Sequence, residues 1–543
     1  MAARRTLVLL LLAAAALTAL ALPAASPAHP ERPSSFPDFR KGKVPVYRSR
    51  GPSLVVCKPD SRKRILRLPS KKLRTKNLKL LKRCRYRHVQ QAVDAARSGD
   101  RILLLPGIYR EEPSLKAPSP DPRCKDMYVE PESPEAGSGA MLLDSGGLQK
   151  PARAHSYDYE YTCPNDGNLI AIMGDDPKDP DRECDQKCNL QIEGTARRRD
   201  VWIKGNGTKL NLIKADRADG IFLKGFSTEY SDFNNIYVLE TNGFRFDDIF
   251  TDKSREYGFL SFASDNGLYE NLEATHAGDS GIYPGSGPEG HCQRYGIEIR
   301  NVDSHHNALG SSGTAGNGTW IHDSRFHHNS IGMVMDSFAP GHPGQPQDCS
   351  KVENNLIYSN NQDYFNAERD EYCKKPWLER DPTKTCPTFQ VPVGTGILFA
   401  GGNGNIVRGN RIWDNWRGAF ELFYVPATFR GENDPTMTFD TSNRNQYTGN
   451  VLGYDPSGNV DHNGRMVLWD EEGQGNCWSD NKVAPGPSAE SDPATLPACP
   501  NDGPFSPGNP VKLLSHASCA TWNPNDNTDP PGCDWFVLPP EPK

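Results

Sequence analysis

Beyond its first two dozen residues the chain has no long apolar run. The one such stretch, Leu7 to Leu22, follows Arg4 and Arg5 and leads into small residues from Ala25 to Ala28, which is the pattern of an export signal over residues 1–28. It falls short of the ~20 residues that a spanning helix needs, so a membrane anchor is the weaker reading. The expectation is a secreted chain with no membrane span once the signal is removed. Hydrophobic residues are also scarce, at 36%, while 49 Gly and 46 Pro are present. That balance excludes a mainly helical protein and favours turns and short strands. Paired C-x-x-C spacing is absent, which argues against zinc modules. Fourteen cysteines in an exported chain then indicate disulfides and an oxidising compartment. Cys184 with Cys188, Cys373 with Cys386 and Cys519 with Cys533 are close enough to bridge locally, and sequential pairing is the simplest scheme.

Acidic residues are nearly missing between Lys58 and Arg87, where fourteen Lys or Arg face only Asp60, a local charge of +13. Because the whole chain carries −6, the remainder carries −19. Such a segment suits docking on an anionic polymer, with cell-wall or extracellular polysaccharide ahead of nucleic acid. The plainer alternative is the solvated face of an N-terminal cap. The expected division is a Pro-rich leader and basic arm over 29–87, a body over 88–480 with a disulfide-closed insertion at 366–392, and a Pro-rich stapled cap over 481–543.

The segment from His88 to Tyr109 combines an amphipathic helix, a Ser-Gly-Asp stop and an apolar strand ending at Pro-Gly. From about Leu169 short apolar runs follow glycines at 220, 243, 258, 281, 310 and 332, at intervals of 23, 15, 23, 29 and 22. A period near 22, with one short coil and one insertion, predicts an all-β fold in which three strands close each coil: a parallel β-helix. The His88–Tyr109 segment resembles the leading helix and first strand of right-handed parallel β-helix proteins of the pectin lyase-like superfamily, and the Asn-rich coils from about 200 to 425 resemble their repeats. The stretches Asp279–Gly285, Asn307–Thr314 and Val393–Asn405 resemble exported bacterial β-helix proteins. The resemblance implies a right-handed solenoid acting on or binding carbohydrate. It leaves the activity open, because the superfamily holds lyases, hydrolases, epimerases and proteins without catalysis.

Eight of the thirteen histidines fall between His276 and His342. Counting back from Gly310 and Gly332, His305 and His327 share one position, and His306 and His328 the next. Adjacent coils lie about 4.8 Å apart, so equivalent positions stack. With Val302 and Phe326 inward, alternation places the columns Glu273, Asp303, Arg325 and Thr275, His305, His327 on the outer face. His306 and His328 then lean inward as core polar groups, and Asn307, Asn329 and Asn415 form a structural turn ladder.

A carboxylate, an Arg and paired imidazoles suit β-elimination of an acidic glycan, with His305 or His327 as base and Arg325 neutralising the uronate. Hydrolysis would instead use a carboxylate pair, Asp303 with Glu273 or Asp279 with Asp336. Tyr283, and His342 on the long Asp336–Asp348 loop, complete the candidate substrate contacts beside Glu273, Asp279 and Asp336. The candidate catalytic set is therefore His305, His327, Arg325 and Asp303. The competing function is a surface or matrix protein that binds glycans without catalysis. No cofactor is implied by a complete motif. Asp470, Glu471 and Glu472 offer a calcium possibility, although their spacing matches no specific calcium loop and a solvated acidic turn is the plainer reading.

Overall fold

Short β-branched and aromatic runs separated by Gly, Asn and Asp cannot bury a face alone, so they do so by stacking coil on coil. The computed structural model describes residues 34–512 and 537–543, apart from 118–120, 130–140, 144–148, 152–153, 179–180, 182, 339–341, 366–370, 389 and 431–439. Three long parallel sheets of twelve, eleven and eleven strands run along the molecule, here called sheets I, II and III. Each coil visits them in that order, as in Ile297–Arg300, Asp303–His305 and Leu309–Thr314. The chain is a right-handed parallel β-helix. Its core is one continuous apolar column that includes Ile221, Phe244, Tyr269, Ile299, Phe326 and Phe399.

The polar repeats have equally direct causes. Asn307 accepts from Ala277 N–H and itself meets Asn329, which meets Asn360, then Asn415, then Asn463, at 2.9 to 3.3 Å per backbone bond. A side-chain amide both donates and accepts, so such a column satisfies turn backbone groups that the core would otherwise strand. The recurring glycines of sheet III reflect close approach: a Cβ on Gly310 would lie 2.5 Å from Gly332 O, and one on Gly332 equally near Gly396 O.

Several expectations need correction. Gly220 lies just before a strand of sheet I and Gly243 within one, whereas Gly258 lies just before a strand of sheet III and Gly281, Gly310 and Gly332 within such strands. The 15-residue interval is thus a step between sheets and not a short coil. The solenoid also begins earlier than His88, because Ser53–Val56 pairs with Arg101–Leu104 in sheet I. The basic segment is an insertion between those strands, folded as helices α1 (Ser61–Leu66) and α2 (Lys71–Leu81). The amphipathic helix is α3 (Val89–Ala95), and strands continue to Ser491–Asp492 beyond the expected boundary at 480. Residues of the leader are bonded across the coils, as where Asn242 and Asn266 donate to the carbonyls of Asp38 and Phe39.

Six disulfides join Cys57–Cys84, Cys124–Cys163, Cys184–Cys188, Cys292–Cys349, Cys373–Cys386 and Cys477–Cys499, all in sequential order. The expected Cys519–Cys533 pair and the export signal lie outside the described residues. Among the described residues no helix is long and apolar enough to cross a membrane.

Candidate functional site

Sheet II carries the outward columns. Glu273 pairs with Asp303 and Asp303 with Arg325, while Thr275 pairs with His305 and His305 with His327. Inward neighbours Ser304 and Phe326 are fully buried, whereas the Arg325 side chain keeps 54% of its surface. One register thus separates a packing position from an accessible one.

The charged column is internally compensated. Asp303 accepts from Arg325 at 2.5 Å and from His327 Nε2 at 2.9 Å. Burial pulls its carboxyl up, but the hydrogen bond from His327 and the charge of Arg325 outweigh burial and hold it below the ordinary value. Glu273 is likewise held down, chiefly by His305, with Arg198 adding to the effect across the coils. His305 Nε2 stands 3.7 Å from Glu273, a looser contact than that of His327 with Asp303.

The imidazoles form two stacks. His305 lies over His327 at 5.0 Å and 10°, and His306 over His328 at 5.5 Å and 14°. Within each coil the two rings meet Nδ1 to Nδ1 at 2.7 Å, so one must donate and the other accept. Burial first, then the neighbouring His305, pushes His306 down to about 4, and His328 is lowered in the same way by burial and His327. His306 and His328 do not lean into the core. Both occupy the left-handed backbone region, at φ 58° and 54°, and this breaks strand alternation and turns them outward beside the first stack.

The ring column continues past the predicted residues. His327 stacks on Tyr358 at 4.7 Å and Tyr358 on Trp413 at 4.4 Å, almost parallel in both cases. The sequence held the signal for both: each of these four rings stands two residues before an asparagine of the turn ladder. Beside it, at the end of the other stack, His276 lies 6.2 Å from His306 and donates from Nδ1 to Asp252 at 2.8 Å. The disulfide-closed insertion borders the site, since Thr385 Oγ donates to His306 O at 2.8 Å.

Asp279, Tyr283, Asp336 and His342 are not part of this face. Tyr283 and Asp336 lie on sheet III and Asp279 in the turn just before it, all four are buried, and His342 packs edge-on against Phe262 at 5.2 Å. Together with Glu256 and Tyr257 they form a covered polar layer. Ser312 Oγ reaches Asp279 at 3.5 Å, Thr314 donates to Asp336 at 2.8 Å, and Thr388 of the insertion donates to Glu256 at 3.1 Å. Burial raises the Asp279 carboxyl well above the carboxylate range, with Glu256 adding to it, and pushes Glu256 up to about 7. Sequence placed these residues in the right coils and on the wrong side, because coil spacing does not say which sheet a residue occupies.

The acidic turn at 470–472 is not solvated either. Asp470 and Glu472 are buried, and burial pushes them up to about 6 and about 9, while Glu471 pairs with Lys512 at 3.0 Å. These are buried acids and not a solvated turn. Among the described residues two groups bring three potential ligands together, Cys292 with Asp348 and Cys349, and Asp175 with Asp181 and Asp185. The two cysteines are bonded to each other, and Asp175 is paired with Arg217.

No protein-family model matches the chain, and no curated protein is similar to it. Among solved structures it is similar to the Azotobacter vinelandii mannuronan C-5 epimerase AlgE4 A-module, at 10% identity and TM-score 0.40, over 78% of this chain and 94% of that one. It is also similar to a tailspike protein of E. coli bacteriophage HK620 in complex with pentasaccharide, at 10% identity and TM-score 0.38, over 59% of this chain and 51% of that one. The chain thus spans about half the length of the tailspike protein. A third is the periplasmic alginate epimerase AlgG, at 12% identity and TM-score 0.32, over 57% and 73%.

Proposed function

We propose that this chain is an exported polysaccharide-active protein that cuts an acidic glycan by β-elimination along the outer face of sheet II. The observation that carries the reading is the exposed Arg325 beside the stacked, carboxylate-backed pair His305 and His327. An extended chain lying along the ring column would meet a cation, a proton acceptor and a proton donor within two coil spacings.

Their roles follow from the hydrogen bonds, which also set the tautomers. His305 Nδ1–H donates a hydrogen bond to the neutral His306, which leaves Nε2 as an acceptor, and Glu273 stabilises the imidazolium formed when His305 takes the substrate proton. His327 is oriented by Asp303 at Nε2 and by His328 at Nδ1, and is the proton donor of the pair. In the reaction His305 takes the proton beside the uronate carboxylate, and the freed electron pair forms the ring double bond. The bond to the glycosidic oxygen breaks, and that oxygen takes the proton of His327. Arg325 would swing from Asp303 to the uronate and offset the charge that develops there.

Hydrolysis fits less well. It needs one carboxyl held up as a general acid, and both carboxyls of this face, the half-buried Asp303 and Glu273, are held down. Incubation with polygalacturonate and alginate should give the ultraviolet absorbance of an unsaturated product. Absence of product from every uronate polymer tried would overturn the enzyme reading, and binding without product would favour the non-catalytic glycan-binding alternative.

A further inference from the structure

The basic insertion is not a loose arm. Cys57–Cys84 closes it, and Ile65 and Leu68, with Leu73, Leu78, Leu80 and Leu81, pack on Val55, Leu103 and Leu105 of the first coils. Asn77 of α2 is buried and donates to Thr195 O at 3.1 Å, which ties the helix to the turn between sheets I and II. The hydrophobic side of the hairpin is therefore spent on the solenoid, and its cations are left on the far side.

Eleven of the fourteen Lys and Arg between Lys58 and Arg87 are exposed. Among the described residues the ion pairs of this segment are Arg64 with Asp60 and Lys58 with Glu112, which leaves those eleven unpaired. Along α2, Lys72, Lys76 and Lys79 follow i, i+4, i+7 spacing and share one face, flanked by Lys71 and Lys82. A rigid row of unpaired charge spanning about 10 Å between its outer members matches a polymer with repeating charge better than a small ligand.

We infer that α2 and its flanks are a docking surface for an extended acidic polysaccharide, separate from the face of sheet II. The inference shares the substrate class of the proposed function, but it does not need catalysis. Lysines act as point charges without the planar fork that reads one group, so the surface holds charge density rather than a sequence of sugars. Nucleic acid is the less suited partner, because single strands use aromatic rings to stack bases. The one aromatic in the segment, Tyr86, is half-buried and tied through its backbone to Val55 and Cys57.

The test is binding of the full chain to immobilised polygalacturonate across a salt series, with matched duplex DNA as competitor. Lys72→Glu with Lys76→Glu and Lys79→Glu together should weaken binding about tenfold or more at low salt and flatten its salt dependence. The corresponding triple Lys→Arg variant should bind as wild type, which separates lost charge from a lost fold. Charge reversal at the three lysines should weaken binding by the same factor in an Arg325→Ala background that forms no product, so failure here and failure of the proposed reaction are distinct results. Unchanged polygalacturonate binding by the charge-reversed protein would overturn the inference. So would displacement by DNA at lower charge concentration than by free polygalacturonate.

Discussion

Sheets II and III share the same coils, yet their outer faces have opposite chemistry. On sheet II the carboxyls of Asp303 and Glu273 are reached by Arg and His and held down, and the side chain of Arg325 stands in solvent. On sheet III and the turns that lead into it, Asp336, Asp279 and Glu256 are buried, and burial raises all three. The solenoid sets only the spacing. Which face becomes a site depends on what covers it, and here the Cys373–Cys386 insertion seals the acids through Thr388 while leaving the imidazoles at its edge.

The largest way to sharpen this contrast lies one residue inward from the site. Phe326→Ala empties a fully buried position and should cost about 3–5 kcal/mol in denaturant unfolding. A change within experimental error would mean that the strand is one residue out of phase. Next is the asparagine ladder: Asn329→Ala strands the Asn307 N–H and removes the amide that donates to Ser304 O, for a loss of about 1–3 kcal/mol on the same assay.

The pH response should differ in sign between the faces. The Glu256 carboxyl is raised to about 7 from an ordinary value of 4.5, so the folded state holds that proton more tightly. Its contribution is fully present below about 4.5 and lost as pH rises through about 7. Asp303 and Glu273 work the other way, with stability present above the ordinary carboxylate value and lost as pH falls. Thermal unfolding of Glu256→Gln should therefore flatten the loss of stability between about pH 4.5 and 7, and an unchanged slope would argue that Glu256 is not buried. The smallest stability effect belongs to Arg325→Ala, within about 0.5 kcal/mol, because its side chain packs against little.

Much of this was legible before any coordinates. The column Glu273, Asp303, Arg325 and the pair His305, His327 followed from glycine and asparagine spacing, since a parallel coil repeats its register. Tyr358 and Trp413 obeyed the same rule but were hidden by the long insertions between their coils. His306 and His328 were misassigned because alternation holds only while the backbone is extended, and both residues are left-handed. Asp279, Tyr283, Asp336 and His342 were grouped with the wrong face, since spacing fixes height along the solenoid but not the sheet, and no local pattern reports a covering loop.

The account turns on which face does the chemistry. The most direct measurement is the initial rate of unsaturated product from polygalacturonate for wild type, Arg325→Ala and Asp279→Asn, each first matched for folding by its melting transition. The account predicts that Arg325→Ala loses most of the rate while Asp279→Asn, buried at the turn into sheet III, keeps it. Full activity in Arg325→Ala with activity abolished in Asp279→Asn would contradict it and move the site to sheet III.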